Sequence, residues 1–432
     1  MDQSKRETII SRVRDEQVRF IRLQFTDIFG QMKNVAVTAS QIEKVLDNQI
    51  TIDGSSIEGF VRIEESDMRL FPDLDSFVLL PWEEDGIRVG RFICDVHNHD
   101  GSRALKKAED MGYTFNVGPE LEFFLFHLDE KGRPTTHTGD EAGYFDLGPL
   151  DRGETARQEI CLALEKMGFE IETSHHELAA GQHEIDFKYA GALETADRIM
   201  TFKLAVKTLA QRHCLHATFM PKPIYGIAGS GMHTNMSLCK NGENAFCDPK
   251  GRLELSGDAY SFIAGLLAHV QGMAAITNPL VNSYKRLVPG FEAPCYLSWS
   301  VTNRSVLIRL PAARGQRTRL ELRSPDPACN PYLTLALCLT AGLDGIARGL
   351  KPPEEIQENI FTMTPQKREQ LKIKGLPPSL KDAIGFMQQD QLVLDTLGEH
   401  VATHFIRGKQ KEWAEYATRV SSWEVDKYLV LY

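Results

Sequence analysis

The sequence lacks the features that mark secreted and membrane-spanning proteins. It has no uninterrupted run of 18 apolar residues, and its first ten residues are mostly polar or charged. We therefore expect neither a membrane-spanning helix nor a secretory signal peptide. The eight cysteines include no Cys-x-x-Cys pair and are scattered between Cys94 and Cys338, which argues against a disulfide framework and a zinc knuckle. Together these absences predict a cytoplasmic protein with reduced thiols and no membrane partner.

Basic residues are fewer than acidic residues in this chain. The 49 basic residues against 59 acidic ones give a formal net charge of −10, the opposite of the basic surface that nucleic-acid binding requires. We therefore expect no direct nucleic-acid partner, and any anionic substrate has to meet a local concentration of positive charge. Six arginines lie within 20 residues: Arg304, Arg309, Arg314, Arg317, Arg319 and Arg323. This segment is either an anion-binding site or a solvated charged face.

The rest of the composition is typical of an ordinary folded protein. At 432 residues, with 42% hydrophobic and 25% charged residues, the chain predicts two or three domains and a large core. Residues 17–37 show a hairpin pattern, helical patterns near residues 3–13 and 40–47 flank it, and residues 53–75 are predicted to form an ordered loop. We place the end of this small domain near residue 100.

The chain is thus divided into residues 1–101 and 102–432. The second part mixes strands and helices without regular alternation, which indicates an α+β fold. Its predicted strands lie near residues 113–127, 183–189, 215–220, 232–238, 295–301, 304–310 and 317–323. Its predicted helices lie near residues 154–168, 193–212, 258–275 and 331–350, and the last 60 residues are mainly helical.

Two acidic residues occur in the otherwise apolar strand predicted over residues 113–127. Side chains alternate between the two faces of a strand, so Glu120 and Glu122 point the same way. Burying unpaired carboxylates is costly, and a divalent cation relieves both their desolvation and their mutual repulsion. The pattern therefore indicates a metal site, and the alternative is an edge strand with a solvated acidic face.

Further polar groups follow in later segments. Glu177 and Glu184 lie in SHHELAAGQHEIDFKY, which contains no His-Glu-x-x-His motif of zinc proteases. One face of the next predicted strand carries His233, Asn235 and Ser237. In RTRLELR, one face carries Arg317, Arg319, Glu321 and Arg323, and the apolar face belongs in a core. Guanidinium groups on such a face suit phosphate and carboxylate ligands.

These candidate site residues are mostly carboxylates and arginines with one histidine, and they include no thiolate. Such a set favours Mg²⁺ or Mn²⁺ over structural zinc. Such a set suits phosphoryl transfer, because cations neutralise the charge that develops in the transition state. The residues by themselves therefore favour a metal-dependent enzyme that uses ATP. A metal hydrolase is the alternative at this point.

Seven motifs occur in order along the chain. They are DGSSIEGF (53–60), GPELEFF (118–124), SHHE followed by GQHEIDF, GSGMH (229–233), NPLVNSYKRLVPGFEAP (278–294), NRSVLIRLP (303–311) and RLELRSPDPACNPYL (319–333). Together they closely resemble bacterial type I glutamine synthetase, essentially from end to end. The resemblance implies an N-terminal β-grasp domain, a catalytic domain with a strand-lined bifunnel active site, and a homo-dodecamer of two hexameric rings with active sites between subunits.

The resemblance also implies roles for individual residues. The ligands of the tighter metal would be Glu122, Glu177 and Glu184. Those of the second metal, which accompanies the ATP phosphates, would be Glu120, His233 and Glu321. Glutamate and the transferring phosphate would be bound by Gly229, Arg286, Arg304 and Arg323. The nucleotide would contact Glu172, Asn235, Ser237, Arg304, Arg309 and Arg319.

The implied reaction is the ATP-dependent ligation of ammonia to L-glutamate through γ-glutamyl phosphate. Ammonium has no free lone pair, so a negatively charged pocket has to bind it and a base has to remove a proton. By resemblance this pocket would consist of Asp53, Ser56, Tyr144, Glu177 and Glu292. Asp53, Glu292 and Arg323 would be catalytic, with Asp53 supplied by a neighbouring subunit and Glu292 on a mobile flap.

The chain departs from the family pattern at a few positions. Ala228 stands where many members have Asn, Asn235 replaces a histidine, and the connection after Asp95 is short. Phe361 stands where an adenylylated branch has its modifiable tyrosine, and it has no hydroxyl to accept AMP. The chain resembles the shorter Gram-positive type instead, which implies feedback inhibition by glutamine through Arg62 and contact with nitrogen-regulatory transcription factors.

Two alternatives remain open from the sequence. The first is a γ-glutamyl-polyamine ligase of the same fold, and the second is a regulatory homologue without catalytic activity. The complete metal and arginine sets argue against the second alternative. Asp53 and Ser56 favour ammonium over a bulky amine.

Overall fold

The computed structural model describes residues 3–54, 57, 67–82, 86–96 and 101–432. In this part of the chain, the strands form one sheet of six strands and one of ten. The smaller sheet is built from the N-terminal residues, and the strands of the larger sheet carry Glu120, Glu122, Glu184, His233, Arg309 and Glu321. The fold is therefore of mixed α and β type, as predicted.

The smaller sheet contains strands β1 to β6. They span Phe20–Thr26, Met32–Thr38, Thr51–Asp53, Asp67–Pro72, Val78–Leu79 and Val89–Val96. Their order is β2-β1-β6-β4-β3, and β5 also pairs with β6. Among the described pairings of this smaller sheet, only that of β1 with β6 is parallel. Helices α1 (Gln3–Asp15) and α2 (Ile42–Leu46) add Ile9, Val13 and Val45 to the core of this sheet.

The predicted hairpin of residues 17–37 is confirmed as β1 and β2. Its turn closes because Asp27 Oδ1 accepts hydrogen bonds from the amides of Phe29 (3.0 Å) and Gln31 (2.9 Å), the usual role of aspartate in turns. Gly30 follows with φ +80°, a conformation that glycine adopts without steric cost.

The prediction of a loop over residues 53–75 is wrong for its second half, because Asp67–Pro72 forms β4. Met68 and Leu70 are buried in the core of the sheet. Their alternate apolar spacing and the pairing of β4 with β6 outweigh the Asp and Pro residues around them.

The larger sheet contains β7 to β16. They span Thr114–His127, Ile171–His176, Gln182–Phe187, Ala190–Gly191, Leu215–Thr218, Met232–Lys240, Glu243–Asn244, Trp299–Ser300, Ile308–Arg309 and Leu320–Leu322. The main order is β14-β15-β16-β12-β7-β9-β8. The 14-residue strand β7 lies near the middle and pairs with β9 on one side and β12 on the other.

Helices pack around this sheet. Helices α3 to α12 span Gly101–Asp110, Glu154–Lys166, Ala192–Arg212, Gly257–Thr277, Ser283–Arg286, Pro331–Ala347, Pro365–Gln370, Leu380–Gln389, Gln391–Ala417 and Ser422–Tyr428. The predicted helices near 154–168, 193–212, 258–275 and 331–350 are confirmed as α4, α5, α6 and α8. Helix α6 has the length and hydropathy of a membrane span, but 67% of its apolar window is buried inside the protein. It is a core helix.

Several predicted strands are shorter in the structure. The runs near 295–301, 304–310 and 317–323 contain only β14, β15 and β16, which have two or three residues each. The chain turns between them: Asn303 caps a turn by accepting from Ser305 (2.9 Å), and Gly315–Arg317 forms a 3₁₀ turn. The sequence does not predict strand β8, because Ile-Glu-Thr-Ser-His-His has a weak apolar pattern.

Candidate active site

Three neighbouring strands bring the acidic residues together. Glu120 and Glu122 on β7 lie opposite Asp186 and Glu184 on β9. On the other side of β7, Glu120 lies opposite His233 on β12. Side chains directly opposite each other on adjacent strands point to the same face, with Cβ atoms about 4.5 to 5.5 Å apart. The register therefore places these groups in one cluster.

Glu120, His233 and Glu321 form a group whose potential ligand atoms all lie within 4.8 Å of one another. His233 Nδ1 is 3.3 Å from Glu120 Oε2 and 3.7 Å from Glu321 Oε1. These are the three residues assigned to the second metal from the sequence. Two carboxylates and an imidazole nitrogen suit Mn²⁺ or Mg²⁺ beside phosphate oxygens.

The residues assigned to the tighter metal lie beside this group. Glu122 Oε2 accepts hydrogen bonds from the Gly231 amide (2.9 Å) and from Gln182 Nε2 (2.8 Å). His175 Nε2 is 2.9 Å from Glu177 Oε1 and 3.7 Å from Glu184 Oε1. His175 thus links Glu177 to Glu184. Glu184 in turn lies opposite Glu122 in the pairing of β7 with β9.

The protonation behaviour of the cluster shows why it fits cations. Burial raises the pKa of Glu122 and raises that of Glu184 well above its ordinary value, and neighbouring carboxylates add to the rise at both. Burial also raises the pKa of Asp186 to about 6. At Glu120, burial is outweighed by hydrogen bonds from His233 and Asn235, and the pKa falls to about 2. Buried carboxylates that repel one another are relieved by divalent cations.

Arginines border the acidic cluster at the end of β15 and on either side of β16. Arg309 Nε and Arg323 Nη1 both donate to the carboxylate of Glu321, the second at 2.5 Å. Arg319 Nε donates to Asn235 Oδ1 at 3.0 Å. Among the described residues, Arg323 Nε is buried and has no hydrogen-bond partner. A buried guanidinium with a spare donor is suited to an anionic ligand.

A second basic group, the Arg286 guanidinium, lies against Gly231. Arg286 is buried and donates to the carbonyls of Ser324 (2.8 Å) and Arg323 (3.1 Å). A Cβ on Gly231 would lie 2.5 Å from Arg286 Nη2, and a Cβ on Gly229 would lie 2.2 Å from the Pro221 carbonyl oxygen. Position 229 therefore requires glycine, because its backbone closely approaches the Pro221 backbone. At position 231 a side chain would have to displace the buried Arg286 guanidinium.

The residues assigned to ammonium, besides Glu177, lie in different parts of the chain. Tyr144 is half-exposed, and its pKa is raised by partial burial and by the charges of Glu177, Glu184 and Glu292, while Arg304 opposes the rise. Glu292 is exposed and has φ +59°, a conformation that is uncommon outside glycine and is found at functional sites. Asp53 lies on β3, in the smaller sheet. Ser56 and the regulatory candidate Arg62 lie outside the described residues.

Two nucleotide candidates lie at the margin of the cluster. Ser237 is four residues beyond His233 on β12, about 13 Å away at the usual rise of a strand. Glu172 is exposed and lies at an irregularity in the pairing of β8 with β9.

Sequence reasoning missed three side chains in the site. They are His175, Gln182 and Asp186, which contact or oppose proposed metal ligands. Asp186 has a signal in the sequence, because it shares the alternating face of Glu184. His175 and Gln182 have none, since their roles depend on which strands become neighbours.

Family comparisons agree with this geometry. The family model for the β-Grasp domain of glutamine synthetase matches residues 17–99, and the model for its catalytic domain matches residues 101–428. The chain belongs to the glutamine synthetase family. A glutamine synthetase of Clostridium saccharobutylicum is 60% identical over 99% of each chain, and one of Staphylococcus aureus (strain MW2) is 56% identical over 97% of this chain and 96% of the relative.

Solved structures show the same fold. The chain matches a structure named GmaS/ADP complex-Conformation 1 with a TM-score of 0.88 and 32% identity, covering 98% of this chain and 99% of the other. It matches the cryoEM structure of Plasmodium falciparum glutamine synthetase with a TM-score of 0.85 and 25% identity, covering 98% of each chain.

These findings confirm the resemblance to bacterial type I glutamine synthetase of the shorter kind. The chain is therefore a glutamate–ammonia ligase that acts on glutamate, ammonia and ATP and uses Mg²⁺ or Mn²⁺. The glutamine synthetases among the relatives favour ammonia over the polyamine alternative.

Proposed function

We propose that the cluster around Glu120 and Glu122 is the catalytic centre of this ligase. The observation that carries the proposal is the meeting of Glu120, His233 and Glu321 within 4.8 Å on adjacent strands. The residues come from positions up to about 200 apart in the chain, and their ligand types fit one divalent cation beside ATP phosphates.

The carboxylates divide into two metal sites in this proposal. Glu122, Glu177 and Glu184 hold the tighter metal, and Glu120, His233 and Glu321 hold the second. When bound, the metals neutralise charge on the phosphates and on the substrate carboxylate. The hydrogen bonds to Glu122 and Glu321 orient these side chains beforehand, so little reorganisation is needed.

The arginines bind the anionic parts of the substrates. Arg286 and Arg304 act on the glutamate carboxylates, Arg309 and Arg319 on the nucleotide phosphates, and Arg323 on the transferring phosphoryl group. The γ-carboxylate oxygen of glutamate attacks the γ-phosphorus of ATP, the bond to the leaving ADP oxygen breaks, and γ-glutamyl phosphate forms. Arg323 has a free buried donor for the charge that develops in this step.

The second step uses the acidic end of the site. The pocket of Asp53, Ser56, Tyr144, Glu177 and Glu292 binds ammonium, and the carboxylate of Asp53 accepts one of its protons. The nitrogen of ammonia then attacks the γ-carbonyl carbon, the bond to phosphate breaks, and the carboxylate of Glu292 accepts a further proton as the amide forms. Gly229, Glu172, Asn235 and Ser237 complete the contacts to glutamate and nucleotide.

The assembly and regulation are part of the same proposal. We propose a cytoplasmic homo-dodecamer of two hexameric rings, with a β-grasp domain of residues 1–101 and a catalytic domain of residues 102–432. Glutamine inhibits it with the participation of Arg62, and the inhibited form contacts nitrogen-regulatory transcription factors. Phe361 has no hydroxyl, so adenylylation at that position does not occur.

The test is phosphate release from ATP and glutamate while the amine is varied. Ammonium should support release together with glutamine, whereas putrescine and longer amines should not. Preferential turnover with putrescine would favour the polyamine ligase, and no amine-dependent release from a metal-loaded, correctly assembled protein would contradict the assignment of the centre.

A further inference from the structure

A buried polar network lies behind the acidic cluster. It consists of Asp140, Asp151, Arg157, His176 and His183, whose exposed fractions are between 0% and 6%. The carboxylate and imidazole atoms of four of them lie within 4.8 Å of one another. Arg157 Nη1 donates to Asp151 Oδ2 at 2.7 Å and is 2.9 Å from His183 Nδ1. The guanidinium supplies a positive charge beside the Asp151 carboxylate, and His183 Nε2 is buried without a hydrogen-bond partner among the described residues.

His176 connects the network to a proposed metal ligand. Its Nδ1 is 2.6 Å from the backbone oxygen of Glu177, and its Nε2 is 3.1 Å from Asp140 Oδ2. Both partners are acceptors, so both ring nitrogens donate. His175, the preceding residue, points to the opposite face and contacts the Glu177 carboxylate at 2.9 Å. Glu177 is therefore held at two points: His175 contacts its carboxylate, and His176 contacts its backbone carbonyl.

Asp140 connects the same network to the segment that carries Tyr144. Asp140 Oδ1 accepts from the Ala142 amide at 2.7 Å. The Phe145 amide donates to the His176 carbonyl at 3.1 Å. The rings of Tyr144 and Phe145 lie 5.7 Å and 4.9 Å from the His175 ring. The segment is thus fixed to the end of β8 at several points, and Asp140 and His176 make its buried contact.

We propose that Asp140 and His176 are a positioning pair that holds Tyr144 and Glu177 in the relative arrangement that ammonium binding needs. The inference rests on the proposed function, since it takes those two residues as part of the ammonium pocket. The nucleotide phosphate residues Arg309 and Arg319 lie on the far side of β12 from this pair. Loss of the pair therefore weakens ammonium binding more than nucleotide binding.

The experiment compares apparent KM values in Asp140→Asn and His176→Gln. Each change keeps a polar side chain of similar size and removes the charged hydrogen bond. We expect the KM for ammonium to rise about tenfold, in line with the loss of a buried hydrogen bond to a charged group. The KM for ATP should stay within about twofold of the wild-type value. The double variant should resemble each single variant, because either change already breaks the pair.

The matched control is His269→Gln, which breaks a half-buried histidine–aspartate contact elsewhere, where His269 Nδ1 is 2.8 Å from Asp390 Oδ2. This variant should lose stability without a change in the KM for ammonium. An unchanged ammonium KM in folded Asp140→Asn and His176→Gln would overturn the inference, as would an equal rise for ATP or an equal rise in the control. If the proposed function itself were wrong, the wild-type protein would release no phosphate in response to ammonium.

Discussion

Glu122 and Glu321 lie in different surroundings although both are proposed metal ligands. Glu122 accepts hydrogen bonds from the neutral groups of Gly231 and Gln182, its Oε1 lies 4.0 Å from His233 Nε2, and its pKa is raised by burial. Glu321 is fully buried and receives two arginines. Removing Glu122 deletes a charge that burial already disfavours, whereas removing Glu321 leaves Arg309 and Arg323 without their partner.

The first prediction concerns the two metal sites. Glu122→Ala should weaken the tighter Mn²⁺ site by more than about a hundredfold, the upper range for outer-shell changes. Glu321→Ala should chiefly weaken Mn²⁺ binding in the presence of nucleotide. Calorimetric titration with Mn²⁺ measures both, and the exposed Glu109→Ala serves as the control. Normal binding and full activity in both variants would refute the assignment.

At the scale of elements, Lys222 links two segments of the site. Its Nζ lies 3.9 Å from the centre of the Phe291 ring and donates to the Ile227 carbonyl. Its backbone exchanges hydrogen bonds with the Asn282 side chain, at 2.8 and 2.9 Å. The cation–π contact therefore joins the segment before Gly229 to the segment that carries Glu292.

The second prediction follows from this contact. Lys222→Met should loosen the segment around Glu292 and admit water to the acyl phosphate. The ratio of phosphate released to glutamine formed should rise several-fold above the wild-type ratio. Both products are measured in the same reaction. Lys285→Met removes a cation 5.3 Å from the Tyr416 ring and should leave the ratio unchanged; a ratio that stays at the wild-type value in Lys222→Met would dismiss the role.

His269 joins three helices. Its ring lies on α6, and its nitrogens contact Asp344 on α8 (3.2 Å) and Asp390 before α11 (2.8 Å). Asp390 and Asp344 raise the pKa of His269 above its ordinary value. A raised folded-state pKa means that the contact stabilises the fold fully below the unfolded pKa of about 6.5, and that this stabilisation is lost as pH rises through the folded-state value.

The third prediction is a pH-dependent difference in stability. His269→Gln should lower the stability by about 1 kcal/mol at low pH, and the difference from wild type should shrink as pH rises through the folded-state pKa of His269. Thermal unfolding at a series of pH values measures it. A difference that is constant with pH would show that the histidine charge does not contribute.

At the scale of the whole molecule, contacts fix the smaller sheet on the rest of the chain. Buried Arg91 on β6 donates to Thr201 on α5 at 3.0 Å, and Asn330 before α8 donates to the Asp27 carbonyl at 3.0 Å. Asp53 lies on β3, at the end of the described strand order of the smaller sheet. An edge position suits the proposal that Asp53 acts on a neighbouring subunit.

The fourth prediction tests shared sites. Asp53→Ala and Arg323→Ala subunits should each be inactive, because each lacks one part of every site. Mixed assemblies contain some sites with both parts intact, so part of the activity should return after dissociation and reassembly. Activity is measured on oligomers shown to contain both variants, and no recovery in them would contradict the sharing of sites between subunits.

The sequence by itself determined the family, the reaction and most of the helices. It also placed Glu120 and Glu122 on one face of β7, because alternation along a strand is a local property. These inferences depend on residue types and short spacings, which are visible without neighbours. The end-to-end order of the motifs made the resemblance specific.

The tertiary structure decided the features of the site that depend on contacts between segments far apart in the sequence. The register of β7, β9 and β12 places Glu120 beside both His233 and Asp186, and no local pattern contains that information. The same applies to the opposed pKa directions at Glu120 and Glu122, to His175 and Gln182, and to the link between Asp140 and His176. Burial and charge at these residues come from strands that become neighbours only after folding, so only the folded chain reveals them.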